Sequence, residues 1–132
     1  MSGYYRFPTI NNSKIVFVAD DDLWVVTLKN SKAIRLTTNL SEVSSPLLSP
    51  NGKWIAYVGT EDGRFACIDL TDGKILWEYD AGDTIQGAAC ISRGSVVFGS
   101  GDGILHSVKT SSGKLNWKYE TEGEILAGAN LY

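Results

Sequence analysis

The feature that most constrains this chain is its likeness to itself. Asp62-Gly63 followed by Thr71-Asp72-Gly73-Lys74-Ile75-Leu76-Trp77 recurs 40 residues later as Asp102-Gly103 and Ser111-Ser112-Gly113-Lys114-Leu115-Asn116-Trp117. A fainter copy lies upstream, where Lys14-Ile15-Val16-Phe17-Val18 aligns with Lys53-Trp54-Ile55-Ala56-Tyr57-Val58 and then with Ser95-Val96-Val97-Phe98-Gly99. A fixed period of this length marks a repeat architecture, in which one supersecondary unit is stacked on copies of itself.

Each copy divides into four short strands separated by turn chemistry. Asn11-Asn12-Ser13, Asn51-Gly52 and Arg93-Gly94 are placed to close the first hairpins, and Asp20 to Asp22, Asp62-Gly63 and Asp102-Gly103 the second. The third hairpins turn at Lys29 to Lys32, Thr71 to Gly73 and Ser111 to Gly113. The second strand of each unit is a nearly continuous apolar run, so both of its faces meet protein and the sheets stack face to face. Fourteen glycines, three prolines, four tryptophans and six tyrosines fit turns and pleated strands better than helices. The expectation is all-β, with antiparallel four-stranded blades of a β-propeller. The 132 residues then form a single partial propeller with blades at roughly 4–43, 44–85 and 86–125. An extra strand at 126–132 matches the opening strand of the earlier units, Gln86 to Ile91.

A net charge of −3, with the basic residues scattered singly, gives no electrostatic footprint for nucleic acid and no basic face for a membrane. No apolar run approaches the roughly 20 residues that span a bilayer, and Met1-Ser2-Gly3-Tyr4-Tyr5-Arg6 lacks a signal-peptide pattern, so a cytoplasmic location is expected. Cys67 and Cys90 fall inside strand-like runs with no C-x-x-C spacing, which suggests buried thiols rather than zinc ligands or a disulfide framework.

Candidate chemistry is sparse. His106 is the single histidine; Gly99-Ser100-Gly101 lacks the spacing of a nucleophile elbow, so the histidine has no nucleophile motif beside it. Asp20-Asp21-Asp22 lacks the glycine and distal glutamate of a calcium loop and suggests a solvated hairpin turn. Gly99 to Gly103 is followed by a strand, not by the helix N-terminus that makes a glycine-rich loop bind phosphate, and Lys74 and Lys114 lack the upstream glycine of a nucleotide-binding loop. Trp77 and Trp117 occupy equal positions of a fourth strand, where an indole covers a blade seam and its N–H finds a carbonyl; Trp24 and Trp54 are assigned the same packing task. The expected catalytic, cofactor and metal residues are therefore none.

Two resemblances overlay this reading. Tyr4-Tyr5-Arg6-Phe7-Pro8, Phe17-Val18-Ala19-Asp20-Asp21-Asp22-Leu23-Trp24 and Leu48-Ser49-Pro50-Asn51-Gly52-Lys53-Trp54-Ile55-Ala56-Tyr57 resemble the amino-terminal propeller of tricorn protease and the related TolB-like repeats. From about Gly63 the stretches DLTDGKILWEYDAGDTI and VVFGSGDGILHSVKTSSGKLNWKYETEGEI resemble pyrroloquinoline-quinone-type (PQQ-like) repeats, a family that includes the outer-membrane assembly lipoprotein. A change of repeat type near Gly59 to Gly63 suggests a recombined or engineered chimera. The tricorn resemblance implies no peptidase activity, because that family carries catalysis in later domains. The quinone resemblance implies no cofactor, because that pocket uses an adjacent cysteine pair.

Three blades leave apolar outer faces, so the expected partner is the chain itself, a homodimer of six blades being the simplest ring. At its seam Leu126 to Leu131 competes with Arg6 to Ile10 for one innermost edge. The function expected is that of a non-enzymatic, self-assembling module, an engineered scaffold without evolved activity. The alternatives are a propeller that binds a peptide or protein partner and a non-catalytic fragment of a tricorn-type peptidase.

Overall fold

A computed structural model describes residues 6–11, 14–19, 21–29, 31–37, 46–49, 55–87 and 89–123. Trp54 and the segment 126–132 lie outside the described residues. The chain is all-β. β1 (Arg6–Asn11), β2 (Lys14–Ala19), β3 (Asp22–Thr27) and β4 (Ala33–Arg35) form the first sheet. β5 (Leu47–Leu48), β6 (Ile55–Gly59), β7 (Arg64–Asp69) and β8 (Ile75–Asp80) form the second. β9 (Cys90–Ser92), β10 (Ser95–Gly99), β11 (Ile104–Lys109) and β12 (Leu115–Glu120) form the third. Within each sheet the strands pair with their sequence neighbours and run antiparallel. These are three propeller blades, and the first strands of blades 1 and 2 approach one another.

Alternation on the strands decides which blade each side chain meets. Val16, Val18, Leu23 and Val25 of blade 1 pack against Val58, Ala66, Ile68 and Leu70 of blade 2. The intervening residues of β6 and β7, Tyr57, Phe65 and Cys67, point the other way and pack with Val96, Phe98 and Val108 of blade 3. The first seam is thus aliphatic and the second aromatic. On the outer side of blade 3, Trp117 and Tyr119 are 46% and 64% exposed.

The third hairpin of each blade repeats one backbone device. Gly73 N–H donates to the Asp69 carbonyl at 2.8 Å, Gly113 N–H to that of Lys109 at 2.8 Å, and Ser31 N–H to that of Thr27 at 3.0 Å. All three have positive φ, 77°, 71° and 53°. Glycine is required twice over at the first two, because the preceding blade presses on them, through Leu36 just past β4 and through Trp77 of β8. A β-carbon would stand 1.8 Å from the Leu36 carbonyl oxygen at Gly73 and 2.4 Å from the Trp77 ring at Gly113.

Candidate functional site

The densest chemistry lies in the seam between blades 2 and 3. Phe65 of β7 stacks on Phe98 of β10 with ring centroids 4.0 Å apart and planes 7° from parallel. Phe98 in turn stacks on its cross-strand partner His106 at 5.2 Å and 11°, and Tyr79 of β8 stands edge-on to both rings. Offset stacks and edge contacts are the arrangements an aromatic quadrupole favours. Trp77 tilts against Tyr57 and Phe65, and its Nε1–H crosses the seam to the Thr110 carbonyl at 2.9 Å. The bare α-carbon of Gly113 supplies the floor on which this indole rests.

A polar chain runs through the same seam. Ser100 Oγ lies 2.8 Å from His106 Nε2, and Tyr79 Oη lies 2.9 Å from His106 Nδ1. The Ser100 hydroxyl donates to the Asp102 carboxylate. Having one proton, it then accepts from Nε2–H, which leaves Nδ1 to accept from the Tyr79 hydroxyl. This satisfies a neutral imidazole on both nitrogens. Ser100 and His106 are fully buried, so the serine oxygen offers no nucleophile to a substrate. Blade 2 repeats the turn device without a histidine: the Thr60 hydroxyl donates to Asp62, and Ala66 stands at the position of His106. The Ser-x-Asp-Gly turn is therefore structural, and His106 adds to it a polar tie between blades.

Burial, reinforced by Lys118 and opposed by Asp102, pushes the His106 imidazole below its ordinary value of 6.5. Well above pH 6.5 the histidine is neutral in both folded and unfolded chains. Below it the unfolded chain takes up the proton first, so stability falls with pH, by at most ~1.4 kcal/mol per pH unit. Urea unfolding between pH 7 and 5 is expected to show this slope, and His106→Gln to abolish it; a slope retained by the variant would place the proton uptake elsewhere. The window is clear of Asp69, whose carboxyl is held below its ordinary 3.8 by hydrogen bonds from Thr71 and so acts only in stronger acid.

The other candidate residues do not join this cluster. Cys67 faces blade 3 with its thiol pushed up to about 12 by burial and by Asp69, whereas Cys90, paired with Val97, belongs to the opposite face of blade 3. Trp24 stays within its own blade, stacked with Phe17 and donating Nε1–H to the Ala19 carbonyl at 3.0 Å. The aspartate run corrects the expectation of a wholly solvated turn. Asp22 is 2% exposed, pairs with the Arg35 guanidinium and accepts from the Thr37 hydroxyl at 2.8 Å, while Thr37 Oγ1 accepts from Leu23 N–H at 2.9 Å. Its carboxylate pins β4 to β3. Among the described residues no group of three or more His, Cys, Asp or Glu side chains is placed to hold a metal ion, and no helix is long and apolar enough to cross a membrane.

Comparison with known proteins fits these blades. The profile of the tricorn protease N-terminal beta propeller domain matches residues 2–73, more than half of the chain. The chain belongs to this tricorn-type propeller family. A putative tricorn-like protease N-terminal subunit of Sulfurisphaera tokodaii is 44% identical over 57 residues, 43% of the tricorn-type chain and 29% of that relative. The dehydrogenase subunit of a quinone alcohol dehydrogenase from Gluconacetobacter polyoxogenes is 30% identical over 108 residues, 74% of this chain and 14% of the relative. The tricorn-type chain thus spans under a third of either protein. Its fold is shared with the crystal structure of the computationally designed Ika4 protein, at a TM-score of 0.83 and 18% identity, covering 96% of this chain and 79% of that one.

Pattern in the residues does not reveal the Tyr79–His106–Ser100 chain, because its members are 27 and 6 positions apart. The one signal for it is the repeat of Thr60-Glu61-Asp62-Gly63 as Ser100-Gly101-Asp102-Gly103, which identifies the hydroxyl and carboxylate as a turn.

Proposed function

We propose that this chain is a non-catalytic propeller segment whose property is self-assembly through blade faces, two copies making a ring of six blades. One observation carries the reading. Trp77 and Tyr79 are partly buried in a seam, whereas their repeat counterparts Trp117 and Tyr119 are 46% and 64% exposed. A standard interface of roughly 1,600 Å², about 60% of it apolar, gains on the order of 20–25 kcal/mol at ~25 cal/mol per Å². That exceeds the association cost of about 4–15 kcal/mol.

The non-catalytic reading draws on the buried Ser100, whose proton serves Asp102, and on Cys67 and Cys90, which stand on different faces and do not make the adjacent pair a quinone pocket uses. The aliphatic first seam and aromatic second seam support reading the chain as two propeller types joined in blade 2. Sedimentation of the purified chain is expected to give twice the chain mass at micromolar concentration. A folded single-chain species throughout would overturn the proposal.

A further inference from the structure

We propose that the seam completing the ring is made by the outer face of blade 3 on the outer face of blade 1 of a second copy, in the frame of the internal seam between blades 2 and 3, and that Ser31 limits its tightness. This rests on the self-assembly reading above and names its contact.

Strand register fixes the correspondence. Trp24 pairs with Phe17 in blade 1 as His106 pairs with Phe98 in blade 3, and Val26 pairs with Ile15 as Val108 pairs with Val96. Phe98 and Val108 face blade 2. In blade 1 the residues in those places cannot face blade 2, because Val16, Val18, Leu23 and Val25 already do. By alternation Ile15, Trp24 and Val26 lie on the outer face. They are partly exposed, and Leu28 at the end of the same row is 51% exposed. On blade 3 the outer face carries Leu105 paired with Tyr119, and Ser107 paired with Trp117. Blade 2 carries Phe65 with Tyr79, and Cys67 with Trp77, in the same register.

Blades 1 and 3 thus bear the two halves of one kind of seam. Placed in the internal frame, the Trp117 indole N–H meets the Leu28 carbonyl of the second copy, as Trp77 meets Thr110. Leu28 precedes Ser31 by the same three residues that separate Thr110 from Gly113 and Leu70 from Gly73. At both internal seams the preceding blade presses on a glycine with no room for a β-carbon, through the Leu36 backbone at Gly73 and the Trp77 ring at Gly113. Ser31 has the corresponding turn hydrogen bond and also a positive φ, yet it carries a β-carbon where the Trp117 ring is to rest. The closing seam is in this way looser than the seam it copies.

The test is a double-mutant cycle read as the dissociation constant of the assembly, by sedimentation at several concentrations. Ser31→Gly is expected to tighten association about tenfold and Trp117→Ala to weaken it on the order of 30-fold. In the Trp117→Ala background Ser31→Gly is expected to have no effect. Trp117 is half exposed, so the melting temperature of the dilute chain checks that the variant still folds. If both backgrounds respond equally to Ser31→Gly, or neither responds, the seam is overturned while a mass above one chain leaves self-assembly standing. A chain that stays monomeric at every concentration overturns self-assembly itself.

Discussion

Phe65→Ala is expected to lower the unfolding free energy by about 3–5 kcal/mol, among the larger costs a core truncation produces. Phe65 is 1% exposed and is the ring on which the second seam converges, stacked on Phe98 and tilted against Trp77. Removing it takes away a buried aromatic surface and leaves a cavity walled by two stiff sheets that cannot collapse into it. The Trp77 indole borders the cavity, so tryptophan fluorescence during chemical unfolding reports the loss directly. Phe65→Leu refills part of the volume and is expected to recover about half of the cost. A loss under about 1 kcal/mol for Phe65→Ala would mean that the stack does not hold blades 2 and 3 together.

The second large effect is expected at Gly73. Its φ of 77° costs any other residue roughly 1–2 kcal/mol. A β-carbon there also stands 1.8 Å from the backbone oxygen of Leu36, and a backbone oxygen cannot swing aside as a side chain would. Gly73→Ala therefore has to push blade 1 off blade 2, at a total cost of about 3 kcal/mol or more. Gly82 is the control, with a φ of 84° and nothing within 4 Å of the place a β-carbon would take, so its replacement by alanine bears the torsional cost alone. Thermal unfolding of the two variants is expected to separate them by several degrees. Equal melting temperatures would remove the contact with Leu36 from the account.

Much of this fold is legible in the residues because its information is local and repeated. A turn such as Thr71-Asp72-Gly73 is written in consecutive positions, and its return as Ser111-Ser112-Gly113 fixes a strand on either side of it. Contacts across blades have no such local mark. The Trp77 indole meets the Thr110 carbonyl 33 residues away, and any carbonyl near the seam would have suited it equally as far as spacing can tell. Asp22 shows the same boundary from the other side. Three adjacent aspartates suggest a wet turn, and only the return of β4 brings Arg35 and Thr37 back over the last of them. Trp24 differs from Trp77 because its indole bonds to a carbonyl of its own blade.

The alternation of β6 and β7 has a consequence for how such a chain can change its length. Tyr57, Phe65 and Cys67 serve one neighbour while Val58, Ala66 and Ile68 serve the other. One residue inserted or deleted within β7 would turn over the part of the strand beyond it, setting its stack-facing residues toward the aliphatic blade and the small aliphatic ones toward the stack. Neither neighbour could accept what it then met. Single-residue growth and shrinkage are accordingly confined to the hairpin turns, and the number of blades changes only in steps of about 40 residues.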